Sequence, residues 1–193
     1  GGEAAHGILI LSPKAIQRLS EYTPKWPIPK LFKLAKNKKP NLAIFTGSTI
    51  NTPSMLCVED YLVALRWVLK HGGLKELIGR SRKNLEIVMQ WVEKTAWVDM
   101  LAKDPDTVSN TSICLQISDV RFTGLQESDQ RAFIKEIVGL LATENVAFDI
   151  EGYRNAPPGF RIWGGGTVES SDIELLCAWL DWAYSNVKNG YYD

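Results

Sequence analysis

Histidine is nearly missing from this chain: His6 and His71 are the only two in 193 residues. Imidazole is a leading metal ligand, so a histidine-based metal centre is almost excluded. Cys57, Cys114 and Cys177 are odd in number, widely spaced and form no Cys-x-x-Cys pair. They supply no metal cluster or disulfide framework, and reduced, buried thiols of a cytoplasmic protein are expected. No apolar run approaches the ~18 residues of a membrane-spanning helix. The opening "GGEAAHGILIL" lacks the basic flank and cleavage site of a signal peptide. Lys plus Arg and Asp plus Glu balance at 22 each, leaving no net field to gather nucleic acid or an anionic membrane. GxGxxG, GxxxxGK[ST] and GxSxG are absent, so dinucleotide, P-loop and common serine-hydrolase chemistry have no anchor.

What is present is core material: 45% hydrophobic and 10% aromatic residues, enough for one generous domain or a domain with part of another. The chain opens on Gly-Gly without Met and runs at once into an apolar stretch, as expected of a fragment.

"GILILS" (7–12) reads as a strand buried on both faces. "PKAIQRLSEY" reads as a helix with Pro in its first turn, and the proline-rich "YTPKWPIPK" as an extended crossing. "KLFKLA" and "NLAIFT" around "KNKKP" predict a hairpin with a basic tip. Val58, Leu62, Leu65 and Leu69 mark a helix from near Glu59, stopped at His71-Gly72-Gly73. Leu74, Ile78, Ser81, Leu85, Val88 and Val92 mark a second, running to Lys94. Strand "TSICLQI" precedes a helix with Phe133, Ile134, Ile137, Leu140 and Leu141 inward. Strands "VAFDI" and "GFRIW" follow, then a helix with a capping box at Ser171 and Glu174. Its inward face is Ile173, Leu176, Cys177, Leu180 and Tyr184. This alternation predicts a small α/β lobe with helices on one side of a sheet.

Three constellations carry chemistry. The lysines from Lys25 to Lys39, with Trp26 and Phe32 among them, form a local basic run that reads as a solvated hairpin edge. "STINTPSM" (48–55) is rich in hydroxyl and amide groups before a helix. Phosphate or carboxylate binding and simple capping by Ser54 both remain open for it. Arg154 and Arg161 flank a stiff Ala-Pro-Pro-Gly turn. They either pair on the surface with Asp149, Glu151 or Glu169, or clamp an acidic ligand. Arg161 lies within the apolar "GFRIW" and must face water or meet an anion, which favours the clamp.

"GGEAAHGILILSP", "INTPSMLCVEDYL", "SNTSICLQ" and "GYRNAPPGFRIWGGGTVE" together resemble the phosphoserine aminotransferase family, class V of the fold-type I pyridoxal-phosphate enzymes. The resemblance covers essentially the whole chain and is to the C-terminal half of the family. It implies an α/β fold. Residues 1–72 would be the end of the large cofactor-binding domain, 73–95 a linking helix, and 96–193 the small domain. It also implies a cytoplasmic homodimer that moves an amino group between L-glutamate and 3-phosphohydroxypyruvate, giving phosphoserine for serine biosynthesis and 2-oxoglutarate. No nucleic-acid or membrane partner is implied.

By the same resemblance Asn51 and Thr52 reach the pyridoxal phosphate of the other subunit, and Arg161 grips the substrate α-carboxylate. Arg154 matches an arginine that holds the substrate phosphate or side-chain carboxylate. Tyr153 stands where the matching branch carries a histidine and is left out of the site. The family's Schiff-base lysine lies upstream of the Gly-Gly-Glu block. This chain therefore contains no catalytic residue, and alone it is expected to bind no cofactor and to be inactive. The alternatives are another class V enzyme of the alanine–glyoxylate type, or a non-catalytic binding or dimerisation module.

Overall fold

Ser12 and Pro13 start the first helix, as the sequence predicts. The Ser12 hydroxyl accepts from the Ala15 amide at 3.1 Å, and α1 runs Pro13–Glu21. In the computed structural model, residues 7–192 are described; the opening Gly-Gly-Glu block and His6 lie outside them. The chain divides into two units between Lys70 and His71.

In the first unit the segment after α1 is irregular, as Pro24, Pro27 and Pro29 require. The expected hairpin shrinks to β1 (Ala35–Lys36) and β2 (Lys39–Pro40), joined through Asn37 and Lys38, both left-handed. Pro40 has no N–H with which to extend the ladder, and the flanking Lys30–Phe32 and Leu42–Thr46 coil into 3₁₀ turns instead. Helix α2 spans Met55–Lys70 and so starts ahead of Glu59. The strand expected at 7–12 is not formed: Ile10 is 88% exposed, and among the described residues of this unit no strand pairs with the segment. An isolated strand leaves its backbone groups to water. No described residue of this unit is fully buried, and Ile8, Phe32, Leu42, Leu56 and Leu69 face outward.

The second unit holds the core. Gly72 and Gly73 both take positive φ, which breaks the helical run before α3 (Gly73–Lys94). The predicted stripe on α3 is buried at Ser81 and Val88, whereas Leu74 and Ile78 stay exposed. A short strand missed by the sequence reading, β3 (Val98–Met100), pairs antiparallel with β4 (Ser112–Ile117), which pairs antiparallel with β5 (Gly159–Trp163). Between β4 and β5 lie α4 (Val120–Thr123) and α5 (Glu127–Thr143); α6 (Ser170–Val187) follows β5. Ile113, Leu115 and Ile117 of β4 point into the core, with Phe160 and Ile162 of β5 beside them. Phe133, Ile134, Ile137 and Leu141 of α5, and Ile173, Cys177, Leu180 and Tyr184 of α6, complete it. Leu140 and Leu176, both expected inward, are only half-buried.

The expected strand at 146–150 does not form. Asp149 adopts φ +54°, a left-handed turn that interrupts extension, and only Glu151 bridges to Phe160. The capping box at Ser171 is also displaced: the helix begins at Ser170, after an N-cap Glu169 that makes no capping bond. Of the three free thiols only Cys177 is fully buried; Cys57 and Cys114 are half-buried. Among the described residues no helix is long and apolar enough to cross a membrane.

Candidate functional site

Arg154 and Arg161 hang from one short piece of chain between α5 and α6. The Arg161 amide donates to the Ile150 carbonyl at 2.8 Å and the Gly152 amide to the Gly159 carbonyl at 3.1 Å. The tight reversal lies just ahead of the prolines: the Ala156 amide donates to the Tyr153 carbonyl at 2.8 Å. Pro157 and Pro158 then form a stiff strut into β5, and Arg154 sits exposed in the turn itself.

Arg131, which the sequence reading did not single out, ties this turn to α5. Its Nη2 donates to Glu127 Oε1 at 2.6 Å and to the Ala156 carbonyl at 3.1 Å. The Glu127–Arg131 spacing on a helix was the available signal. The crevice beside the turn, lined by Arg131, Tyr153 and Pro157 among others, measures about 10 Å³, room for little more than one water.

Arg161 projects from the sheet face opposite the core, directly across from Cys114. Its guanidinium carbon lies 4.4 Å from the centre of the Tyr153 ring, within cation–π range. Its Nη2 donates to Asp149 Oδ2 at 3.3 Å and to the Asp149 carbonyl at 3.5 Å. The side chain is 22% exposed, against 91% for Asp149. Nε is shielded from solvent and has no hydrogen-bond partner among the described residues. The surface pairing anticipated as the simpler reading is therefore real for Arg161, but it uses one long contact of a group built for two-pronged recognition. Arg154 makes no ion pair among the described residues. Tyr153, set aside at the sequence level, is the side chain that faces Arg161.

Behind β5 the triple glycine is stapled to α3. Asn84, fully buried, donates from Nδ2 to the Gly164 carbonyl at 3.1 Å and the Val168 carbonyl at 3.1 Å. Its Oδ1 accepts from the Ser170 hydroxyl at 2.8 Å. Arg80 donates from Nε to the Gly166 carbonyl at 2.6 Å and from Nη2 to Glu169 at 2.6 Å. The Arg80 hydrogen bond, with its charge, holds the Glu169 carboxyl below the ordinary carboxylate range. Glu169 is thus committed to Arg80. Gly166 permits the approach to α3, since a Cβ there would meet Leu77, while one on Gly164 would meet Ile113 of β4.

Asn51 and Thr52 belong to the first unit and lie exposed on the irregular segment before α2. The Thr49 hydroxyl donates to the Asn51 carbonyl at 2.7 Å, which leaves the Asn51 amide group and Thr52 hydroxyl facing solvent. Ser54 does cap α2, its hydroxyl accepting from the Cys57 amide at 3.5 Å. The capping alternative therefore holds at Ser54 and leaves Asn51 and Thr52 unassigned. Among the described residues no group of acidic, histidine or cysteine side chains is placed to hold a metal ion.

No protein-family model matches the chain. The chain is 50% identical over 188 residues to a phosphoserine aminotransferase of Methanosarcina mazei, and equally to one of Methanosarcina barkeri. Each match covers 97% of this chain and 48% of the relative, so the chain spans about half the length of these relatives. Its fold is similar to that of the phosphoserine aminotransferase from Bacillus circulans subsp. alkalophilus, with a TM-score of 0.57 at 19% identity over 74% of this chain and 36% of the other. A second phosphoserine aminotransferase structure matches at a TM-score of 0.62 and 11% identity, over 79% of this chain and 39% of that one. These likenesses show a fold shared with part of these two phosphoserine aminotransferase structures. Over 97% of its length the chain is thus similar to about half of these phosphoserine aminotransferases.

Proposed function

We propose that this chain is the C-terminal half of a phosphoserine aminotransferase, and that Arg161 is its grip on the substrate α-carboxylate. The complete enzyme would move the amino group of L-glutamate to 3-phosphohydroxypyruvate, giving 2-oxoglutarate and O-phosphoserine. Residues 1–72 would complete the large cofactor-binding domain, 73–95 would link, and 96–193 would form the small domain. The observation that carries the reading is the state of Arg161. Its guanidinium is held against an aromatic face with a donor unused and a single long anion contact. A ligand carboxylate can improve on that arrangement by taking two parallel hydrogen bonds. Arg154, exposed on the same turn, is the candidate for the second acidic group.

Asn51 and Thr52 present an amide and a hydroxyl on an open segment. This donor set suits the oxygens of an anion, and so the phosphate of pyridoxal phosphate on the other subunit of a homodimer; it contains nothing to engage the ring. The cofactor, when bound, supplies the electrophilic carbon that takes up the amino group. The chain's own residues bind and orient the acidic ends of the substrate, while the Schiff-base lysine belongs to the upstream half. The chain by itself is accordingly inactive.

Two measurements test this. The purified chain, supplied with pyridoxal phosphate, L-glutamate and 3-phosphohydroxypyruvate, should show no turnover; turnover would overturn the assignment of the lysine. In the full-length enzyme Arg161→Ala should raise KM for both substrates about thirtyfold, the equivalent of ~2 kcal/mol for a lost charged hydrogen bond. Unchanged KM values would remove Arg161 from the site.

A further inference from the structure

The contact between Arg161 and Asp149 goes beyond what the family's substrate-binding pattern requires. Four observations bear on it. The Asp149 carboxylate meets Arg161 Nη2 at 3.3 Å through one oxygen only. Asp149 is itself 91% exposed, so little holds it in place beyond this contact. The Arg161 guanidinium rests 4.4 Å from the Tyr153 ring centre. Finally, Arg161 Nε is shielded from water without a hydrogen-bond partner among the described residues, which leaves the pose under-satisfied.

We propose that Asp149 is an intramolecular stand-in for the ligand carboxylate, and that Tyr153 is the positioning residue that keeps the Arg161 guanidinium presented while the two carboxylates exchange. The inference rests on the reading of Arg161 as a carboxylate grip. A carboxylate arriving from solution trades one long ion contact for a two-pronged one, and Asp149 swings out into water, where its exposure makes release easy. The arginine therefore never faces an empty site, and anions that cannot make the paired contact are outcompeted by a tethered one. Specificity for a planar carboxylate follows from that competition.

The backbone makes a clean test available. Asp149 sits at φ +54°, a conformation that Asn tolerates as well as Asp, so Asp149→Asn removes the charge without disturbing the turn. Tyr153→Phe keeps the ring face and Tyr153→Leu removes it. The readout is the set of backbone amide resonances of residues 149–161 in the ¹⁵N-labelled chain, joined by the side-chain Nε–H of Arg161 wherever that residue is kept, titrated with L-glutamate. Asp149→Asn should tighten half-saturation about two- to fivefold, the range of an exposed ion pair. Tyr153→Leu should weaken it, and Tyr153→Phe should restore it to the parent value.

If Asp149→Asn binds no more tightly while Arg161→Ala abolishes binding, the stand-in role falls and the carboxylate grip survives. If Arg161→Ala leaves glutamate binding unchanged, the grip falls and the inference with it. Absence of any glutamate-dependent shift in both the parent chain and Asp149→Asn also overturns the proposal. Equal binding by Tyr153→Leu and Tyr153→Phe removes Tyr153 from it.

Discussion

The buried amide of Asn84 donates to the carbonyl of Gly164 at 3.1 Å, joining α3 to the glycine loop that follows β5. Through this bond and its companions at Val168 and Ser170, one side chain fixes where β5 ends and α6 begins. Arg161 lies on the strand so anchored, three residues from Gly164.

Asn84→Ala should therefore be costly. It leaves the buried Gly164 carbonyl and the half-buried Val168 carbonyl and Ser170 hydroxyl without this partner, a loss of about 2–4 kcal/mol. Urea unfolding should show a lower midpoint with an unchanged slope. A loss below ~0.5 kcal/mol, the level of an ordinary surface substitution, would mean that the staple is dispensable.

Two glycine substitutions should move stability in opposite directions. In Gly166→Ala the new methyl would approach Leu77 Cδ2 at 2.8 Å and the Leu77 carbonyl oxygen at 3.1 Å. The helix backbone there cannot yield freely, and a loss of about 1–3 kcal/mol is expected. Gly139 lies inside α5, where an added Cβ meets nothing within 4 Å. Gly139→Ala should gain about 0.5–1 kcal/mol in helix propensity. Thermal melts of the two variants beside the parent decide the matter, and a shared sign would refute the packing argument.

Cys177 gives a pH prediction. Burial, reinforced by the negative charge of Asp181, pushes its thiol up to about 12. The folded state thus keeps the proton that the unfolded chain releases above pH ~8.5. Unfolding is favoured as pH rises, so the stability tied to this group is complete below pH ~8.5 and drains away toward pH 12. At pH 8 alkylation should mark the half-buried Cys57 and Cys114 well before Cys177, and peptide mass mapping over time reads the order. Early labelling of Cys177 without denaturant would contradict its placement.

The elements read well from sequence are those whose signals are local. Ser12-Pro13 starts α1, the alternation through Ser112–Ile117 makes β4, and the Phe133–Leu141 stripe faces the core. The misreadings share a cause in positions where one residue's backbone overrides its neighbours. Asp149 in a left-handed turn breaks what "VAFDI" suggests, and Pro40 ends the ladder that "NLAIFT" would have extended. Residues 7–12 carry a strand's composition without a partner strand in their unit, which no composition can supply.

At the site, the placement of Arg161 on β5 was legible because an arginine within "GFRIW" is out of keeping with its neighbours. Its partners were less so. Asp149 was in view only as one of several nearby acids, and Tyr153 approaches Arg161 solely because the chain reverses at Tyr153–Ala156. Asn84 and Arg80 act on a loop roughly 80 residues away, through bonds that no periodicity announces.

The absence of fully buried side chains among the described residues before His71 has a thermodynamic consequence. Heat uptake on melting and the accompanying heat-capacity change both scale with newly wetted apolar area. Residues 7–70, already wetted, would loosen gradually and almost silently in a calorimeter. The cooperative peak would belong to the remainder of the polypeptide, and backbone amides of the early helices would exchange with deuterium long before it appeared.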